Sequence, residues 1–178
     1  GISLAELVDD IGGGTVSGRP VRAVQVGGPL GAYFPRALFD TPLDYEAFAA
    51  RDGLVGHGGI VVFDDTVDMV RQARFAMEFC ATESCGKCTP CREGTWWLVQ
   101  ILRDLENGKG SEADLAKLLD LCDNLLGRSF CALGDGAASP IMSSIKYFRD
   151  EYLAHLTHGG CPFDPVASTL FASSKVGA

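Results

Sequence analysis

Cys85, Cys88 and Cys91 recur at a strict C-x2-C-x2-C spacing inside Glu83-Ser84-Cys85-Gly86-Lys87-Cys88-Thr89-Pro90-Cys91-Arg92-Glu93-Gly94. Thiols so spaced can face one centre while the backbone wraps around it. Thiolates are soft ligands that suit iron–sulfur clusters and zinc. A cubane cluster takes four protein thiolates, so a fourth cysteine must come from elsewhere. The chain has seven cysteines, which leaves Cys80, Cys122, Cys131 and Cys161. Cys80 and Cys122 fall on apolar helical faces, where a free cysteine behaves as a small hydrophobe. Cys161 sits in Gly159-Gly160-Cys161-Pro162 and reads as a spare thiol in an exposed tail. Cys131 is the best fourth candidate. Its surroundings, Ser129-Phe130-Cys131-Ala132-Leu133-Gly134-Asp135-Gly136, read as a loop of small residues between two helices, where glycines let the backbone come close.

The rival chemistry is zinc. Structural zinc usually draws its ligands as two pairs separated by a long loop. Three ligands crowding one turn, with a distant fourth, is the pattern natural for [4Fe–4S]. Thr89-Pro90 places Cys91 in the first turn of a helix, where free N–H groups and the positive end of the dipole stabilise thiolates. Lys87 and Arg92 add positive charge. Both effects raise the reduction potential of a cluster.

Nothing else in the chain has comparable spacing. Gly27-Gly28-Pro29-Leu30-Gly31 and Gly56-His57-Gly58-Gly59 match neither a dinucleotide fingerprint nor a Walker A loop, and read as turns. Asp64-Asp65 reads as helix-start acidity. His57, His155 and His158 have no spacing that forms a site. Trp96 and Trp97 are expected to pack the helices, one ring shielding the metal centre.

Two regions must position these residues. In the first, Ser3 caps a short helix that Gly12-Gly13-Gly14 stops. Pro20 to Val26 alternates and is β-branched, so it predicts a strand. Thr41 to Phe48 predicts a short helix with Pro42 at its first position, and Gly58 to Phe63 a second strand. From about Asp65 the period becomes helical. One helix carries Met69, Ala73, Ala76, Met77 and Cys80, capped by Asp65 or Thr66. A second begins at Pro90 with Thr89 as cap and carries Val99, Ile101 and Leu105. Ser111 and Asp114 form a capping box for a third, with Leu115, Leu118, Leu119, Cys122 and Leu126. Ser139-Pro140 opens a fourth. The expected class is α+β: a small sheet unit followed by four helices with short connections.

The bulk properties narrow the function. With 178 residues, of which 47% are hydrophobic, the chain can build one good domain or two small ones. A net charge of −8 argues against a nucleic-acid partner. No apolar run approaches the roughly 18 residues a membrane span needs. The start at Gly1-Ile2-Ser3 offers no basic leader, so no secretion signal is expected. Clustered cysteines then favour metal ligation in a reducing compartment over disulfides.

The two cysteine motifs together, Glu83 to Gly94 and Ser129 to Asp135, closely resemble the flavoprotein (NADH-binding) subunit of NADH:quinone oxidoreductase (complex I). Relatives of that family serve NAD-dependent formate dehydrogenases and NAD-reducing hydrogenases. The resemblance covers essentially the whole chain. It implies a β-grasp domain of the soluble-ligand-binding type over 1–65, a helical [4Fe–4S]-binding domain over 66–160 built as a four-helix bundle, and a C-terminal tail over 161–178. It implies Cys85, Cys88, Cys91 and Cys131 as ligands, in agreement with the spacing. The family's Gly-rich flavin loop and acidic Asn-Ala-Asp-Glu segment, which serve FMN and NAD(H), are absent and should precede residue 1. The chain is therefore expected to be the C-terminal portion of an NADH dehydrogenase (diaphorase) subunit, unable to transfer hydride alone. It would relay single electrons between FMN and the clusters of partner iron–sulfur subunits.

The resemblance leaves the parent complex open. Ala137-Ala138-Ser139-Pro140-Ile141 and Gly160-Cys161-Pro162-Phe163-Asp164-Pro165 look like complex I. Gly28-Pro29-Leu30-Gly31-Ala32-Tyr33 and Leu43-Asp44-Tyr45-Glu46-Ala47-Phe48 look more like the formate dehydrogenase version, in which electrons would flow toward NAD+. The location it implies is cytoplasmic, peripheral on the inner face of a membrane through a larger complex. The alternative of another class is a structural zinc-binding interaction module.

Overall fold

Pro20 delivers the chain into β1, Val21–Val26, which forms the centre of an antiparallel sheet of order β2-β1-β3. β2 is Tyr33–Pro35 and β3 is Ile60–Asp64. The register pairs Val24 with Phe34 on one side and with Val62 on the other. The computed structural model describes residues 1–163, and the expected tail lies outside the described residues from 164 onward. The chain divides into two units, 1–67 with Phe163, and 68–162.

In the first unit Leu4, Val8, Val24, Val26, Phe34, Phe39 and Phe48 form one buried core. Phe34 and Phe48 meet with ring centroids 4.7 Å apart. The opposite face of β1 is covered too: Ala23 and Gln25 are buried, and Gln25 donates its amide N–H to the Gly31 carbonyl at 3.0 Å. Ser3 opens the first helix as expected. Its hydroxyl accepts from the Glu6 N–H, while the Glu6 carboxylate accepts from the Ser3 N–H. The helix α1, Tyr45–Ala49, starts later than expected. Asp44 caps it through the Ala47 N–H, and Pro42 instead pairs with Ser3 in an isolated bridge. A carboxylate at the cap outcompetes a proline whose only advantage is a preset φ.

The second unit has four helices: α2 Met69–Glu83, α3 Thr89–Glu106, α4 Glu112–Leu125 and α5 Ala132–His158. α2 packs on α3 and α5, α4 packs on α3 and α5, and α3 also touches α5. Each buries a stripe at helical spacing: Met69, Val70, Ala73, Met77 and Cys80 on α2; Leu98, Leu102 and Leu105 on α3; Leu115, Leu118 and Cys122 on α4. Ser111 and Asp114 make the expected capping box.

Three helix starts differ from expectation. α2 is capped by Asp68, whose Oδ1 accepts from the N–H groups of Val70 and Arg71. Asp65 and Thr66 stand outside, because Asp64 draws in the Thr66 N–H and hydroxyl and makes a turn there. α3 is capped by Cys88, not Thr89. α5 begins at Ala132, with Cys131 as its cap, so Ser139-Pro140 lies inside the helix. Proline clashes with the carbonyl four residues back. Here that residue is Gly136, which has no side chain to resist the adjustment, and the helix instead departs from helical angles at Phe148 (φ −131°, ψ 31°). No helix among the described residues is long and apolar enough to cross a membrane.

Candidate metal centre

The four cysteines reach one place by two routes. α2 ends at Ser84, whose backbone is extended. The chain turns through Gly86 at φ +74°, an angle that favours glycine, and enters α3 at Cys88. Arg92 holds this turn closed by donating from Nη1 to the Gly86 carbonyl at 2.7 Å. The second route is the connection from α4, which delivers Ser129, Phe130 and Cys131 to the start of α5. Lys87 lies over the Phe130 ring, 5.9 Å from its centroid.

The sulfurs are held by named groups. The neighbouring Phe130 N–H pulls the Cys88 thiol below the ordinary range; slight burial opposes it, and Ser129 and the Cys91 N–H reinforce it. The Cys91 thiol is buried, which pushes it up. Ser84 Oγ lies 3.2 Å from its sulfur and pulls it back. Cys88, Cys131 and Cys85 all stand close enough to push it up again through charge repulsion. That mutual effect places all four thiols in one neighbourhood. Cys85 and Cys131 are exposed, Cys88 is half-buried and Cys91 is buried, so the centre has an inner wall and an outer rim.

The arrangement fits a thiolate-held cluster. Ser129 Oγ is buried with no hydrogen-bond partner among the described residues and lies near the Cys88 sulfur. A hydroxyl so placed has no use in a dry core but can donate to a charged sulfur. Gly134 leaves the space that this needs. A Cβ there would fall 2.2 Å from Ser129 Oγ, and within 3.8 Å of Cys91 Cβ. The positive ends of α3 and α5 both begin at cysteines, which favours the net negative charge of a ligated cluster.

The remaining cysteines separate as expected in two cases. Cys80 and Cys122 are fully buried, and burial pushes both thiols up to about 12. Cys161 differs from expectation: it is half-buried and its thiol donates to Asp68 Oδ2 at 3.2 Å. His155 also reaches that carboxylate, at 3.0 Å. No local spacing could reveal this grouping, since Asp68 and His155 lie at the ends of different helices. His57 accepts from the Gly59 N–H in a turn, at 3.1 Å. Trp96 and Trp97 are 44% and 51% exposed, not packed. The buried stripe of α3 passes through Cys91, Gly94, Thr95 and Leu98 and leaves both rings on the rim.

Residues 71–155 match the family described as the NADH-ubiquinone oxidoreductase-F iron–sulfur binding region. The helical unit thereby matches an iron–sulfur binding region over nearly all of its length. Over nearly its full length the chain is similar to F subunits of NADH-quinone oxidoreductases. The F subunit of the Streptomyces coelicolor enzyme is 53% identical over 172 residues, 97% of this chain and 38% of that protein. The HndC subunit of the NADP-reducing hydrogenase of Solidesulfovibrio fructosivorans is 43% identical over 91% of this chain and 33% of its own length. In structure the chain resembles an NAD+-reducing [NiFe]-hydrogenase in the air-oxidized state, with a TM-score of 0.77 and 30% identity over 88% of this chain and 26% of that one. The chain thus spans under two-fifths of the curated relatives it matches.

Proposed function

We propose that this chain is the electron-relay portion of an NADH dehydrogenase subunit, with Cys85, Cys88, Cys91 and Cys131 holding one [4Fe–4S] cluster. The observation that carries the reading is the meeting of the two cysteine motifs, where Lys87 lies 5.9 Å from the Phe130 ring centroid and a Cβ at Gly134 would fall 3.8 Å from Cys91 Cβ. When bound, such a cluster supplies one-electron exchange at a potential set by its protein surroundings. The chain's residues supply the rest. Four thiolates ligate, two helix N-termini and Lys87 offset negative charge, and buried Cys91 and Ser129 keep water from the inner side.

In this reading FMN and NAD(H) bind a preceding domain of the whole subunit, and electrons pass to iron–sulfur subunits of a multisubunit NAD-linked complex on the cytoplasmic side. Complex I is the parent best supported by the relatives from NADH-quinone oxidoreductase, and the hydrogenase relatives support the same module in a hydrogen-linked complex. Residues 1–65 act as a β-grasp unit and 66–160 as a four-helix bundle around the cluster. The three-stranded antiparallel sheet and the packing of α2 to α5 support that division.

The test is low-temperature EPR with iron and sulfide analysis on anaerobically purified, dithionite-reduced protein. The expected result is about four irons and four sulfides per chain and a fast-relaxing signal, all lost in Cys88→Ala. In the assembled complex the same variant stops electrons reaching downstream acceptors and spares flavin-level diaphorase activity. Unimpaired electron transfer in that variant sinks the assignment, and one zinc with no signal favours the structural module.

A further inference from the structure

A second cluster of ligating side chains stands apart from the four cysteines. Asp68, His155 and Cys161 bring a carboxylate, an imidazole and a thiol together, their ligand atoms all within 4.8 Å of one another. Asp68 begins α2, His155 lies in the last turns of α5, and Cys161 follows that helix. Asp68 and His155 are buried and Cys161 is half-buried.

The imidazole is oriented. Its Nδ1 lies 2.7 Å from the Glu151 carbonyl oxygen. A carbonyl only accepts, so Nδ1 carries the hydrogen. On a neutral ring that turns the Nε2 lone pair toward Asp68 Oδ2, 3.0 Å away. Two electron pairs do not face each other at that distance in a buried site without positive charge between them. A proton can provide it, and so can a metal ion. A backbone carbonyl holding the far ring nitrogen is the usual way a protein orients a metal-bound histidine.

The carboxylate is equally prepared. Oδ1 serves as the cap of α2, accepting from the Val70 and Arg71 N–H groups. Oδ2 is left to His155 and to Cys161, whose sulfur is 3.2 Å away. Ligands at zinc-like bond lengths and tetrahedral angles stand about 3.3 Å apart for nitrogen and oxygen, and about 3.5 Å for oxygen and sulfur. The two pairs that share Oδ2 need to open by a few tenths of an ångström, and the imidazole nitrogen and the sulfur stand within 4.8 Å of each other. The nearby cation is Arg71, which senses both Cys161 and Asp68. Glu106 takes its Nε at 2.8 Å, and a carboxylate with a thiolate outweighs it.

We propose that Asp68, His155 and Cys161 form a binding site for one zinc ion, distinct from the cluster centre. One oxygen, one nitrogen and one sulfur suit that borderline-soft cation. The half-buried side at Cys161 leaves the fourth position to water. Bound there, the ion staples the start of α2 to the end of α5 and to the chain that follows. Zinc at this trio does not depend on what the four cysteines hold.

The test uses the full chain with its cluster assembled anaerobically, titrated with zinc chloride against a chromophoric chelator. X-ray absorption at the zinc edge then reports the ligand shell. The expected result is one zinc per chain, with one sulfur and the remainder nitrogen and oxygen. Cys161→Ala weakens binding at least tenfold, removes the sulfur and leaves the cluster's EPR signal unchanged. Since His155 is buried, Cys161→Ala carries the test, and His155→Ala is read only if its circular dichroism shows a folded chain. No stoichiometric zinc overturns the proposal. So does unchanged affinity in Cys161→Ala, or a shell of four sulfurs, which would put the ion among the other cysteines.

Discussion

Cys88 and Cys131 hold the same position in two different helices, each standing at the N-cap, of α3 and of α5 respectively. The first turn of a helix leaves backbone N–H groups unused by the helix itself, and the helix dipole adds positive potential there. Two of the proposed ligand positions thus coincide with two places where the backbone favours negative charge. The Phe130 N–H of the other motif lies near enough to lower the Cys88 thiol, so the second motif helps to set the electrostatics of the first.

Ser129 is placed to tune the proposed centre without ligating it. Its hydroxyl is buried and faces the Cys88 sulfur. Hydrogen bonds to cluster sulfurs favour the reduced, more negative state. Ser129→Ala is expected to keep the full iron content and to lower the reduction potential by on the order of 40 mV, equivalent to about 1 kcal/mol for one electron. Ser129→Thr keeps the donor and holds the potential near the original value. An EPR-monitored redox titration of the three proteins decides it, and an unmoved potential in Ser129→Ala removes the hydroxyl from the account.

Gly134 should be intolerant of even a methyl group. An added Cβ would stand 2.2 Å from Ser129 Oγ and 2.6 Å from Ser129 Cβ, so the segment bearing Cys131 must shift. Gly134→Ala is expected to leave iron well below stoichiometric after anaerobic reconstitution, with helix content retained. Adding Ser129→Gly reopens the space and restores most of the iron. Normal iron content in the single variant means that Ser129 can move aside freely.

The meeting of the four cysteines was legible because C-x2-C-x2-C fixes three thiols on one short turn and the other cysteines had competing explanations. Cys80 and Cys122 fell on apolar stripes and are indeed core residues. Cys131 was legible by identity but not by setting. Gly134, Gly136 and Pro140 argue locally against helix, and packing on α3 and α4 overrides them. Strand β2 was missed because three residues ending in proline give no period to read. The start of α2 was misplaced because Asp64, Asp65, Thr66 and Asp68 are all good caps on paper. Only the turn made by Asp64 and Thr66 selects the last of them. The Asp68, His155 and Cys161 grouping was invisible because tertiary folding alone brings the α2 start to the α5 end.

The two buried cysteines supply a contrast with the ligands. Cys80→Ala and Cys122→Ala each remove a small apolar group from a packed interior. Each is expected to destabilise the chain by about 1 kcal/mol and to retain the iron and the EPR signal. Denaturant melts paired with iron analysis check both halves. Iron loss in Cys80→Ala at unchanged stability would bring that thiol into the centre beside Cys91.

Glu106 is a buried ionic link between α2 and α3. Its carboxylate is buried and pairs with Arg74 and with Arg71, the latter at 2.8 Å. Glu78 answers Arg74 and Arg103 nearer the surface, with 27% of its side chain exposed. Both carboxylates join the same two helices, but removing one partner of a buried pair strands the other's charge away from water, at about 3–5 kcal/mol. A more exposed pair is worth about 1 kcal/mol or less. Glu106→Ala should therefore destabilise the chain several-fold more than Glu78→Ala, as read from denaturant midpoints at neutral pH. In Glu106→Ala combined with Arg74→Met and Arg71→Met the stranded charges disappear, and much of the loss should return. Equal losses from Glu106→Ala and Glu78→Ala would show that solvent reaches both carboxylates alike.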